Sequence, residues 1–454
     1  MAEVRPFRGL RYGPNVPLGR VICPPYDVIS PEQAAGYRRR SPFNAINLEL
    51  PAAPAPPTTA APAPLVDPTG RYREAARLLD ELRRSHTLVL DAEPYLYVVD
   101  STYRGPDGRQ RTRRGFIARL RLEDLAAGVV LPHEKTHAGP MADRLNLMRA
   151  THSNFSQIFL LYADDKGEIA AALTASLAAQ APAASATTAA APPAAQSVTD
   201  DDGTAHELTP VTGATAAQVS ALLAQQHLYI ADGHHRYEMA LAYRDERRAA
   251  GDHSADEVMV YLCGMQDPGL MVFPTHRLIK DVALPPMAEV IERLEPAFAV
   301  SREGSGDQSA CRRMVDSLSS FADLGKVFGL YFPREQSCLT AELRDLSAAD
   351  RLLAEGFSPD AARLSVTILH YLILRDALGL EPTGMEGKID YEPDPAEAFR
   401  KMNGGDYEIG AFLNPTLLSE VKTIADHGET MPQKATYFYP KPLTGLVFNV
   451  MDED

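Results

Sequence analysis

The sequence has no Trp and only four Cys in 454 residues. Cys23, Cys263, Cys311 and Cys338 lie far apart, with no C-x-x-C pair among them. That spacing excludes a structural zinc knot and a small disulfide framework. It leaves reduced thiols packed as small hydrophobes. Long apolar runs are missing too, and none approaches the roughly 18 residues a membrane helix needs. The first ten residues hold Arg and Glu but no apolar signal-peptide core. The expectation is a soluble, cytoplasmic protein with no membrane partner.

Positive charge is in short supply, with 45 Lys+Arg against 60 Asp+Glu and a formal charge of -15. Nucleic-acid affinity comes largely from Lys and Arg neutralising phosphates. The basic runs, Arg38 to Arg40 and Arg109 to Arg114, are short and not interleaved with aromatics. No nucleic-acid partner is expected. Only nine of the 45 basic residues are Lys, and Lys135, Lys434 and Lys441 stand in dense polar motifs. The chain also lacks G-x-x-x-x-G-K-[ST], G-x-G-x-x-G and G-x-S-x-G. P-loop, Rossmann and serine-hydrolase readings are therefore unsupported.

What is present fills a globular core, at 45% hydrophobic residues. Residues 51–64 are all Pro, Ala and Thr, and 181–195 are Ala, Pro, Ser and Thr. Repeated Pro blocks a continuous helix, so both read as insertions or linkers. This divides the chain into an N-terminal α/β part (1–180), a linker (181–200) and an α/β part (201–454), together one interwoven body.

Apolar periodicity predicts a helix at 72–85 and a hairpin over 95–120 around Gly105-Pro106-Asp107-Gly108. It also predicts a helix at 141–150 and a buried strand at 158–162. Thr215 and Gln218 have capping-box spacing for a helix over 216–225. A strand at 227–231, a helix at 236–248 and a strand at 257–265 follow. The last third holds helices near 287–294, 311–321 and 361–377, then strands at 436–439 and 445–450. Alternation of strands and helices indicates a mixed α/β fold class.

The densest motif is LYIADGHHRYEMAL, residues 228–241. A strand ending in Asp232-Gly233 and opening a helix presents free N–H groups to an anion. Gly233 permits close backbone approach. His234, His235 and Arg236 add donors suited to phosphate, and Asp232 is a candidate magnesium ligand. In LPHEKTH (131–137), His133-Glu134-x-x-His137 fits the zinc-protease pattern. Pro132 and Gly139-Pro140 leave little helix to carry a zinc site, so a phosphate-binding loop using Glu134 and Lys135 is favoured.

DRLNLMRATHSNFSQIF (143–159) supplies Arg144, Asn154 and Ser156 near a helix end and a strand start. CPPYDVIS (23–30) is a Pro-stiffened turn into a helix opening at Ser30-Pro31. NAINLELP (44–51) reads as a strand with Asn47 and Glu49 on one face, Glu49 being a candidate base. MPQKATYFYPKPLTG (431–445) is a Pro-fixed loop bearing Lys434 and Lys441, suited to covering a ligand. FPTHR (273–277) is a strand end with His276 and Arg277.

PPYDVIS, NLELP, HEKT, DRLNLMRA, NFSQIFLLY, YIADGHHRYE, PTHR and MPQKATYFYPK occur in order along nearly the whole chain. Together they resemble the domain-of-unknown-function family numbered ten-fifteen. Asp-Gly-His-His-Arg is similar to the signature of the ParB/sulfiredoxin-like superfamily, whose members bind phosphates at this turn and include free-serine kinases. The resemblance implies a ParB/sulfiredoxin-like core. It assigns Asp232, His234, His235 and Arg236 to a phosphate and catalytic turn, with Glu49 or Glu134 as base. His137 departs from the family pattern.

The implied activity is transfer of a phosphoryl group to free serine, with magnesium as cofactor. Pyrophosphate leads as donor, ahead of ATP or ADP, because it needs only a phosphate cradle. Lys135, Arg144, Asn154 and Lys434 are the further candidate substrate-binding residues. A ParB-like nucleotide-binding module and a zinc hydrolase at His133 and His137 are the competing readings. The oligomeric state is left open.

Overall fold

The computed structural model describes residues 1–52, 70–134, 141–180, 193–303, 308–318, 326–381, 385 and 387–452. Lys135, His137 and most of both low-complexity stretches lie outside the described residues. The chain divides into two compact units. One comprises Met1–Pro132, Thr136–Leu270 and Pro440–Asp454; the other comprises His133–Lys135 and Met271–Tyr439.

The first unit is built on a nine-stranded mixed sheet. Its order runs Val130–Leu131, Leu228–Asp232, Ile158–Tyr162, Glu257–Gly264, Gln110–Arg121, Leu96–Arg104, Ala205–Val211 and Gln196–Thr199, and Val4–Arg5 pairs beside Gln110–Arg121. Two pairings are parallel: Glu257–Gly264 with Ile158–Tyr162, and Leu228–Asp232 with Val130–Leu131. Period-two alternation sends Leu96, Val98, Phe116, Ala118, Ile158, Leu160, Val260 and Leu262 into one apolar core. Helices Glu168–Gln180, Gly213–Leu223 and His234–Ala249 contribute to it.

Tyr72, Ala75, Leu79 and Leu82 line one stripe of helix Gly70–Arg84 and enter another core with Leu10, Tyr12 and Ile46. Each fully buried leucine there is worth about 1.5–3 kcal/mol. Helix Pro31–Arg40 opens with a capping box in which Ser30 and Gln33 satisfy each other's backbone N–H.

The second unit holds a six-stranded antiparallel sheet, ordered Phe298–Glu303, Ser337–Leu343, Val327–Phe332, Ile409–Leu413, His276–Ile279 and Ile389–Glu392. A separate two-stranded ladder joins Met271–Phe273 to Tyr437–Tyr439. On strand His276–Ile279, Leu278 faces the core containing Phe399 and Phe412. Ile279 faces the opposite core, with Leu369 and Ile373.

Several sequence expectations need correction. The units do not part at 181–200, since strands on both sides of that stretch share the first sheet. Residues 46–49 form a short helix, Ile46–Glu49, rather than a strand. The Asn44 side chain accepts from the Ile46 N–H and donates to the Arg20 and Ile22 carbonyls, fixing a turn that a strand could not take.

The helix expected to open at Thr215 runs Gly213–Leu223. Its preceding Thr212 hydroxyl donates to the Pro94 carbonyl instead of capping. The single helix expected over 361–377 is three segments: Pro359–Ala362, Ser365–Ile368 and a π-helix, Leu369–Ala377. The final strand is only Asn449–Val450.

Candidate functional site

A β-bulge creates the site. Along Leu228–Asp232, Leu228 and Ile230 face the main apolar core, and uninterrupted alternation would send Asp232 there too. The register slips between Ile230 and Asp232, so Ile230 pairs with Leu160 but Asp232 pairs with Phe159. Phe159 points to the opposite face, so the bulge re-aims Asp232 away from the core.

Two cations meet Asp232 on that face. Lys441 Nζ lies 2.5 Å from Oδ1, and Arg236 Nη2 donates to Oδ2 at 2.6 Å. Arg236 stands in the first turn of helix His234–Ala249. It also donates to the Gln157 carbonyl and lies 6.0 Å from the Tyr26 ring. Burial alone would lower the Arg236 pKa, but Asp232, Asp27 and Glu49 outweigh it and raise it.

Gly233 caps the helix with φ 92°. A Cβ there would sit 2.9 Å from Arg236 Nε, so glycine supplies both the left-handed turn and the space. His234 is buried and His235 half-buried at the start of the same helix.

Lys441 is brought in by an indirect brace. Arg113, fully buried, lies 4.9 Å from the Phe159 ring and 4.8 Å from the Tyr261 ring. Its guanidinium donates to the Pro440 carbonyl, immediately before Lys441.

On the other side of Arg236 is Glu49, 3% exposed. Ser156 Oγ donates to Glu49 Oε1 at 3.0 Å, and Arg144 Nη1 lies 3.5 Å from the same oxygen. Arg144 also donates to the Glu49 carbonyl and sits 4.7 Å from the Tyr26 ring. Burial pushes the Glu49 carboxyl above its ordinary value; the Arg144 and Arg236 charges and the Ser156 bond offset this only in part. Burial likewise pushes the Tyr26 hydroxyl up to about 12. Tyr26, Glu49, Arg144, Ser156 and Arg236 line a cleft of about 50 Å³. That is room for a few water molecules.

The structure therefore brings Asp232, Gly233, Arg236, Arg144 and Glu49 together in one unit. Asn154 borders the cleft, but its side-chain oxygen accepts from the Met259 N–H and the Asn449 amide, which makes it scaffold. Glu134 belongs to the other unit, where it bridges to Met431. Lys434 is an exposed turn residue of that unit with φ 55°. His133 is buried there, its Nε2 3.0 Å from the Thr436 hydroxyl.

Sequence reasoning passed over Tyr26, and it weighed Ser156 and Lys441 within their motifs without choosing them as site residues. All three stand in motifs already singled out, but nothing in the motifs ranks Lys441 above Lys434. Among the described residues no cluster of three His, Cys, Asp or Glu could hold a metal ion. Asp232 has a cation on each oxygen, Lys441 on Oδ1 and Arg236 on Oδ2.

Residues 4–366 match a protein family described as a protein of unknown function, DUF1015. The chain belongs to that family. No curated protein sequence matches. Among solved structures, a free serine kinase in complex with AMP aligns at 14% identity over 68% of this chain and 83% of that one, with TM-score 0.31. A conserved hypothetical protein from Pyrococcus furiosus aligns at 14% identity over 69% and 88%, TM-score 0.31. SbnI from Staphylococcus aureus aligns at 10% identity over 72% and 86%, TM-score 0.33. This DUF1015 chain has a mixed α/β architecture. No helix among the described residues is long and apolar enough to cross a membrane.

Proposed function

We propose that this DUF1015 protein transfers a phosphoryl group to a small hydroxyl acceptor, free serine being the leading candidate, on a ParB/sulfiredoxin-like core. The observation that carries the reading is the Asp232 cluster: one carboxylate holding Lys441 and Arg236 at a helix N-terminus, beside buried Glu49. Phosphoryl transfer needs positioning and charge neutralisation more than covalent chemistry.

Lys441, Arg236 and the N–H groups after Gly233 bind the donor phosphate, and Asp232 holds the two cations in place for it. Glu49 takes the proton of the acceptor hydroxyl. The acceptor oxygen forms the new P–O bond while the donor's bridging P–O bond breaks. The electron pair leaves with the departing phosphate. A carboxyl raised toward working pH by burial is suited to such general-base work. Pyrophosphate, which needs only a phosphate cradle, is the leading donor.

The test is incubation of the full chain with L-serine and, separately, pyrophosphate, ATP or ADP, with phosphoserine measured by mass spectrometry. Phosphoserine with one donor supports the reading. None with any donor removes serine kinase activity from it.

A further inference from the structure

The second unit buries a cation that the Asp232 chemistry does not use. Arg277 is 0% exposed on a strand between two others of the antiparallel sheet. Its neighbours are mostly neutral: it donates to the Thr275 carbonyl and, at 3.2 Å, to the Lys434 carbonyl. The Tyr391 ring, its cross-strand partner, lies 5.4 Å away. Its Nε has no hydrogen-bond partner among the described residues. Leaving a buried charged donor unmade is costly, so such a group calls for an explanation.

Other unmade donors accompany it. By strand alternation Arg277 faces the side of Ile279, whose core includes Leu369 and Ile373 of the π-helix. His370, in the first turn of that helix, feels the Arg277 charge, and its Nε2 is buried without a partner. The Thr367 hydroxyl, three residues earlier, is also buried and unpartnered. His276 points to the opposite face, against Phe412 at 4.8 Å, and stands apart from this group. π-Helices are rare and are found frequently at functional sites.

We propose that Arg277, His370 and Thr367 form a buried site in the second unit for a small oxyanion, a carboxylate or phosphate group. Arg Nε–H, imidazole N–H and hydroxyl are three donors of the kind such a group accepts. The charge balance agrees. Burial pushes the Arg277 guanidinium down to about 10, with Tyr391 and Glu134 countering only through space. Burial, then the Arg277 charge, holds His370 at about 3, so its imidazole is neutral.

The experiment titrates full-length protein, labelled with ¹⁵N-histidine, with inorganic phosphate and in parallel with acetate. Loss of one signal in His370→Gln assigns the reporter. The site predicts a saturable shift of the His370 signal with at least one anion, and the stronger response identifies the class. Arg277→Met should abolish saturation while the other histidine signals stay in place. If Arg277→Met does not fold, Thr367→Val replaces it and should weaken the apparent affinity about tenfold. Asp232→Asn should leave the response unchanged, which separates this site from the phosphotransfer reading. No saturable His370 shift with either anion, or one that persists in Arg277→Met or is unweakened in Thr367→Val, overturns the proposal.

Discussion

Lys441 Nζ lies 2.5 Å from Asp232 Oδ1, across 209 residues of sequence. A bulge turns the aspartate out of the apolar core, and Arg113 holds the lysine-bearing loop against it. Lys441→Met should lower kcat/KM for phosphoryl transfer about 10²–10³-fold, the scale for losing one charge-stabilising donor. Lys434→Met should stay within a few-fold of wild type. Parallel steady-state kinetics check the contrast.

Glu49→Gln should cut kcat about 10²–10⁴-fold, as for loss of a general base. The acid limb of kcat/KM in the wild type should lie above the ordinary glutamate range, because burial raises this carboxyl. A pH profile reads both effects.

The same residue predicts an opposite effect on stability. A carboxyl whose folded pKa is raised binds more protons folded than unfolded. Its stabilising contribution is fully present below the unfolded glutamate pKa and is lost as pH rises through the folded value. Relative to wild type, Glu49→Gln should therefore gain in Tm as pH goes from acid to neutral. Thermal melts across that window should show the gap widening with pH.

Gly233→Ala should destabilise by about 1 kcal/mol or more, since φ 92° is unfavourable for alanine and its Cβ would press on Arg236. Urea denaturation measures the loss. Because Arg236 must shift, activity should fall as well.

Arg113→Met should lower activity without touching substrate, by releasing the Pro440 carbonyl and with it Lys441. A stability loss of about 1–3 kcal/mol should accompany it, for the buried carbonyl left unpaired. Arg113→Lys, which keeps the charge between the two rings, should recover part of both. Kinetics and melts on the pair separate the brace from simple packing.

Local patterns carried much of the fold into the sequence. Ile158–Tyr162 is an uninterrupted apolar run, and helix Gly70–Arg84 repeats its apolar residues every three or four positions. The Asp232 turn was legible because Asp, Gly, His and Arg adjoin in the chain. Glu49 was legible as a candidate base but not as helical. Alternation in NAINLELP mimics a strand, while the Asn44 side-chain bonds that override it are made in the fold. The choice of Lys441 over Lys434 rests on Arg113 and on the bulge, both products of long-range pairing. Composition cannot rank two lysines seven residues apart.

The most direct measurement is the rate of phosphoserine formation from L-serine and pyrophosphate, followed by ³¹P NMR, for wild type and Asp232→Asn under identical conditions. The account predicts turnover by the wild type and none measurable in a folded Asp232→Asn. Equal rates in the two proteins would contradict it.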